Sequence, residues 1–163
     1  MILSSTVYLS SPLGTLRLSG SDAGLAAVGF LDESVAATAA AAVPRCLRAA
    51  ADQLRAYFGR ELRDFDLLYD VARGTDFQRQ VWLALTTVGY GRTASYLELA
   101  RQLGNPGAVR AVGAANGQNP LGIVWPCHRI IGASGQLTGY AGGLWRKQGL
   151  LALEQPATQT ELF

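Results

Sequence analysis

Two closely spaced turn signals constrain the front of this chain more than any other feature. Ser11-Pro12-Leu13-Gly14 and Ser21-Asp22-Ala23-Gly24 supply residues that preset or tolerate turn backbone, and short apolar runs lie on either side. Residues 6–10, 15–20 and 25–31 are therefore expected to be three short strands of an antiparallel meander. From 45 to 59, Leu47, Ala50, Ala51, Leu54 and Tyr57-Phe58 recur at helical spacing, so an amphipathic helix can cover one face of that sheet. Cys46 falls on this helix and reads as a packing residue. The alanine-rich run 35–43 favours helix but equally suits a connector, and Pro44 interrupts it. Residues 63–72 mix charges with Phe65, Leu67, Leu68 and Tyr69 and fit either a last strand or a linker.

The composition changes near Arg73-Gly74, which is the expected boundary between domains 1–73 and 74–163. Thr75 and Gln78 have capping-box spacing, and Val81, Leu83, Ala84, Leu85 and Val88 continue a helix to Gly89, with Trp82 packing. Ser95 and Glu98 repeat the pattern before Leu97, Leu99, Ala100 and Leu103. Gly104 can end that second helix, Asn105 can cap the next, and Pro106 suits a first turn, so a third helix is expected over 107–117. Two short helices joined by Gly-Asn-Pro suggest a helix-turn-helix. On the third, Ala111, Gly113, Ala114, Ala115 and Gly117 leave Arg110, Asn116 and Gln118 as the long side chains. Such a surface can approach a nucleic-acid backbone without sequence preference, or pack tightly on another helix. The fold class expected is α+β: a small antiparallel sheet with a helix, then a mostly helical domain with a helix-turn-helix and an active-site loop.

The chemistry concentrates in Trp125-Pro126-Cys127-His128-Arg129-Ile130-Ile131, where a cysteine adjoins the only histidine of the chain. Thiolate is the nucleophilic form of cysteine, and a neighbouring imidazole can generate it near neutral pH. Neighbours in an extended segment point to opposite faces, so the two need a turn, a water or another residue to communicate. Cys46 and Cys127 are the only cysteines and are expected to be free thiols. With one histidine, no zinc site is expected, and neither a phosphate-cradling loop nor a dinucleotide fingerprint implies a cofactor. Residues 1–8 lack signal-peptide character and no uncharged stretch is long enough to span a bilayer, so a cytoplasmic protein without membrane association is expected. The net charge of +2 is asymmetric: six basic against eight acidic residues over 1–70, and eight against four over 71–163, the part that holds Cys127. That bias suits a polyanionic partner as well as an ordinary solvated face.

Tyr90-Gly91, Ser95-Tyr96, Gly104-Asn105-Pro106, Ala111-Val112-Gly113, Asn119-Pro120 and Pro126-Cys127-His128-Arg129 together resemble the O6-alkylguanine-DNA alkyltransferases. The ordered series continues through Gly135, Gly139-Tyr140, Gly142-Gly143 and Leu150-Leu151 to Glu154, covering about residues 74–155. The front of the chain matches only in layout, that of the small ribonuclease-H-like domain which precedes the family's catalytic domain.

The resemblance implies irreversible transfer of an alkyl group from O6 of guanine in double-stranded DNA to Cys127, once per molecule and without metal or cofactor. O4-alkylthymine is a second conceivable substrate. His128 would take the thiol proton through a water, Glu154 would orient the imidazole, and Asn119 would fix the turn. Tyr96 would donate a proton toward guanine N3. Tyr140 would line the alkyl pocket, with the backbones of Cys127, Ile130 and Ala141 on the base edge. Trp125 would sit beside them where the family usually has an aliphatic residue, and Ala141 stands where some members have serine. Arg110 would fill the stack left by a flipped nucleotide, and Ala111, Gly113, Ala114, Asn116 and Gly117 would lie along the minor groove. Arg129 and Lys147 would be supporting basic residues, though as lone charges each reads as solvated or structural. A monomer is expected in solution, with assembly along DNA left open. A lesion-binding protein without catalysis and a cysteine hydrolase are the alternatives; the former usually carries tryptophan in place of the nucleophile.

Overall fold

The computed structural model describes residues 3–156 and has the α+β architecture expected. Strands β1 (Ser5–Ser11), β2 (Gly14–Ser21) and β3 (Gly24–Phe30) form an antiparallel meander in the order β1-β2-β3. Leu9 pairs with Leu16, and Val7 with Leu18, which in turn faces Val28. Period-2 alternation thus puts Val7, Leu9, Leu16, Leu18, Leu25 and Val28 on one buried face. Helix α1 (Arg45–Phe58) covers it with Leu47, Ala50, Ala51, Leu54 and Tyr57. Fully burying a leucine contributes about 1.5–3 kcal/mol, so this face is the main stabilising element at the front of the chain.

The two undecided stretches are connectors. The alanine run forms only a 3-10 turn at Ala40–Ala42. Thr38 holds it along edge strand β1, donating its N–H to Tyr8 O (2.9 Å) and accepting from Tyr8 N through Oγ1 (3.0 Å), and this pairing prevails over alanine's helix preference. Residues 63–72 run beside β3 with a single bridge between Leu25 and Tyr69. They pass so close to Gly24 that a Cβ there would lie 2.7 Å from the Tyr69 carbonyl carbon, and Gly24 also has φ +145°.

Helix α2 (Asp76–Leu85) begins with both bonds of the Thr75/Gln78 capping box. The two-residue strand β4 (Ala94–Ser95) leads into α3 (Tyr96–Gln102), where Ser95 Oγ accepts from Glu98 N at 3.0 Å and only this half of the second box forms. Gly104, at φ +76°, ends α3 in a Schellman turn closed by Asn105 N donating to Ala100 O at 3.0 Å. Asn105 does not cap the next helix with its side chain: Pro106–Ala108 form a 3-10 turn and α4 (Val109–Gly117) starts after it. The chain then re-enters the front core. Val28 donates to Pro120 O (2.9 Å), Gly122 donates to Val28 O (3.1 Å), and Leu121, Ile123, Val124 and Leu150 pack under the sheet. Strand β5 (Ile130–Ile131) pairs in parallel with β4, and α5 (Leu144–Leu153) closes the fold. Among the described residues no helix is long and apolar enough to cross a membrane.

Candidate active site

The site is a loop between α4 and α5 whose shape is imposed by one side chain. Asn119 Oδ1 accepts from Leu121 N (3.0 Å) and Asn119 Nδ2 donates to Trp125 O (2.7 Å), bracketing a loop in which β-branched Ile123 sits at φ +71°. A β-branched residue in that region is strained, and the asparagine bracket is what holds it. Beyond Pro126 the chain winds into a 3-10 turn, Cys127–Arg129, so Cys127 and His128 are not extended neighbours. Cys127, 8% exposed, reaches a cavity of about 140 Å³. Asn116, Asn119, Tyr140 and Ala141 line it together with Val28, Gly29 and Phe30 of β3.

Behind the cysteine lies a fully paired carboxylate. Glu154, the residue that ends α5, is 3% exposed. His128 Nε2 lies 2.7 Å from its Oε2, Arg129 Nε and Nη2 donate to Oε1 (2.8 Å) and Oε2 (3.0 Å), and Tyr57 Oη donates to Oε2 at 2.6 Å. Gly91 N reaches Oε1 at 3.4 Å. Burial opposes the charge, yet the bonds from His128 and Arg129 prevail and bring the Glu154 pKa down from 4.5 to about 2. An ionised carboxylate only accepts, so His128 carries its proton on Nε2, and Nδ1 is left as the basic nitrogen, buried and without a protein partner among the described residues.

Burial pulls the His128 pKa below the usual histidine range; Glu154 opposes this, while Arg129 and Lys147 add to it. Burial also pushes the Cys127 thiol up, against a hydrogen bond from Asn119 and the Lys147 charge. The resting pair is thus neutral thiol and neutral imidazole. Such a pair transfers its proton as an electrophile is attacked, and exposes little thiolate to other reagents beforehand.

The other expected residues are placed as follows. Arg110, Ala111, Ala114 and Gly117 are exposed along one side of α4 and Gly113 is half-buried. Asn116 departs from that expectation. It is 5% exposed and donates to Cys127 O at 3.4 Å, because Val112, Ala115 and Asn116 share the inward face of α4. Arg129 is neither solvated nor alone, being buried against Glu154 with Nη1 donating to Val88 O at 2.8 Å. Trp125 is not among the cavity residues; it stacks on Trp82 (6.0 Å) and meets Tyr69 edge-on (5.6 Å), joining the two cores. Ile130 is fully buried in the second core. Tyr96 stands outside the cavity lining with Oη donating to Thr138 O at 3.2 Å.

Lys147 and Arg146 fix the loop that carries Tyr140 and Ala141. Lys147 Nζ donates to Thr138 O at 2.8 Å, a structural role. Arg146 binds Gly142 O (3.1 Å) together with Leu13 O (2.8 Å), Leu31 O (2.9 Å) and Asp32 (3.0 Å) at the turns of the sheet. Sequence reasoning missed Arg146 and the contact of Tyr57. Helical spacing marked Tyr57 as a core position, but nothing local marks its hydroxyl as a partner of a carboxylate.

Residues 5–70 match the family model described as 6-O-methylguanine DNA methyltransferase, ribonuclease-like domain, and residues 76–156 match the DNA binding domain of the same family. The methylated-DNA--protein-cysteine methyltransferase of Mycolicibacterium paratuberculosis is 53% identical over 157 residues, covering 93% of this chain and 94% of its own. The crystal structure of Mycobacterium tuberculosis O6-methylguanine methyltransferase superposes with a TM-score of 0.82 at 46% identity, covering 99% of this chain and 100% of its own. A structure of M. tuberculosis OGT in complex with DNA gives a TM-score of 0.80 at 51% identity, with 90% of each chain covered.

Proposed function

Because the chain belongs to the 6-O-methylguanine DNA methyltransferase family, we propose that Cys127 is the alkyl acceptor and that His128, Glu154 and Asn119 are the groups that make it one. The activity is DNA repair by transfer of an alkyl group from DNA to a protein cysteine, and DNA is the partner. The observation that carries the residue assignment is the buried Glu154–His128 pair at 2.7 Å, with Nδ1 unpartnered among the described residues and a thiol that opens on a cavity one residue away.

In the transfer, a Cys127 S–C bond forms as the C–O6 bond of O6-alkylguanine breaks. The thiol proton passes to His128 Nδ1 through a water, and the imidazolium is held against Glu154. Tyr96, once its hydroxyl exchanges Thr138 O for the base, supplies a proton to the departing guanine and is reprotonated from solvent as the imidazolium gives up the thiol proton. Tyr140 and Ala141 border the alkyl group on the cavity side. The thioether is stable and Cys46 lies on α1 in the other half of the chain, so each molecule reacts once. A free thiol at the cavity disfavours a purely lesion-binding protein, and the match of both halves of the chain to a DNA methyltransferase family disfavours a hydrolase.

The base must leave the duplex to reach a buried thiol. The exposed Ala111, Ala114 and Gly117 let α4 approach the minor-groove backbone closely, and Arg110 beside them fills the vacated stack. Incubation with a duplex containing O6-methylguanine should add one methyl group to the peptide holding Cys127, read by intact and peptide mass. A persisting lesion with unmodified Cys127 sinks the assignment. Arg110→Ala should slow duplex repair by about tenfold or more while leaving transfer from free O6-benzylguanine within about twofold, since only the duplex demands flipping. Equal losses on both substrates would remove Arg110 from that role.

A further inference from the structure

We propose that Tyr57 is a positioning residue of the transfer reaction: its hydroxyl, carried on the helix that covers the N-terminal sheet, shares Glu154 Oε2 with His128 and ties the front of the chain to the relay behind Cys127. The inference rests on His128 acting as the base. Tyr57 is fully buried, with its ring set among Phe58 (5.3 Å), Phe65 (5.6 Å) and Tyr90 (6.2 Å). Packing there requires the ring and not the hydroxyl, since a phenylalanine would make the same contacts. The hydroxyl instead makes the shortest of the bonds to Glu154, at 2.6 Å, between residues 97 apart in sequence.

Oε2 accepts from Tyr57, from His128 at 2.7 Å and from Arg129 Nη2 at 3.0 Å, while Oε1 takes Arg129 Nε and the Gly91 N–H. The charges that act on His128 are those of Glu154, Arg129 and Lys147. Among the side chains on Oε2, Tyr57 is the one that stays uncharged throughout the reaction, since Arg129 is a cation and His128 becomes one on taking the thiol proton. Burial and the Glu154 charge keep its hydroxyl protonated, so it donates throughout the working range. A short O–H bond to a carboxylate draws negative charge toward itself and away from the bond shared with the imidazole. Tyr57 therefore tempers how strongly Glu154 favours imidazolium, and helps keep His128 neutral and ready to accept the thiol proton.

The test is Tyr57→Phe in the full chain without a histidine tag, so that His128 remains the only histidine. Two quantities are followed against pH: the single-turnover rate of transfer from free O6-benzylguanine, and the NMR titration of the His128 ring. Both should move to higher pH, with transfer at the foot of the acid limb slowed roughly three- to tenfold and the plateau kept within about twofold. A limb and titration that stay in place or move to lower pH overturn the proposal, whatever the plateau does. Tyr90→Phe serves as the control, because Tyr90 belongs to the same aromatic group but its hydroxyl lies 3.5 Å from Leu153 O. It should shift neither quantity, and a shift equal to that of Tyr57→Phe would reduce the effect to general packing and overturn the proposal. If the wild type takes up no alkyl group, the acceptor assignment fails separately, and the ring titration still decides the role of Tyr57.

Discussion

Cys127→Ala is expected to abolish alkyl uptake completely while leaving lesion binding intact. No other described thiol can replace it, since Cys46 is on α1, part of the sheet-side core. The substitution removes one sulfur atom from a site only 8% exposed, so the fold should lose no more than about 1 kcal/mol. The cavity walls contributed by β3, Tyr140 and Ala141 are unchanged by it. Intact-mass measurement should therefore find no adduct, while fluorescence anisotropy on a lesion-bearing duplex finds binding close to that of the unreacted wild type. Residual methylation in the variant, at any residue, would show that the acceptor lies elsewhere.

Arg129→Leu should cause the largest loss of stability of any single change at the site. Arg129 gives Glu154 two bonds, at 2.8 and 3.0 Å, and a third to Val88 O. Its removal leaves a buried carboxylate short of its cation, which costs about 3–5 kcal/mol. The pH dependence has a definite sign. Glu154 has its folded pKa lowered from 4.5 to about 2, so it contributes stability that is fully present above about 4.5 and is lost as pH falls toward about 2. Without Arg129 that depression is smaller. The gap between wild type and variant in urea unfolding should therefore be widest near neutral pH and narrow through this acidic window. A gap that stays constant or widens on acidification would mean that Arg129 stabilises by packing and not through Glu154.

What could be read from the residues depended on how local the cause was. The strands were legible because turn residues and period-2 alternation act within a few positions, and the Thr75/Gln78 box was legible for the same reason. The alanine run was not. Its structure is decided by Thr38 pairing with Tyr8, 30 residues away. Asn116 looked like a groove-lining side chain until the inward face of α4 was known, and Arg129 could be read as either solvated or structural because its partner is 25 residues on. Trp125 was placed beside the substrate, but a flat indole next to Trp82 is better satisfied by stacking between two cores.

The sequence by itself determined which groups were available: one histidine beside one of two cysteines, a later glutamate, an asparagine before the loop, and a helix of small residues. Those follow from residue identity and near-neighbour spacing, and so did the family resemblance. Only the tertiary structure decided how the groups act on one another. Folding brings α1, the Cys127–Arg129 turn and the end of α5 to a single carboxylate, with β3 closing one wall of the cavity. The reason is physical. Hydrogen bonds, burial and the protonation states they set depend on distance in space, and the bonds that define this site span 25, 26 and 97 residues of chain.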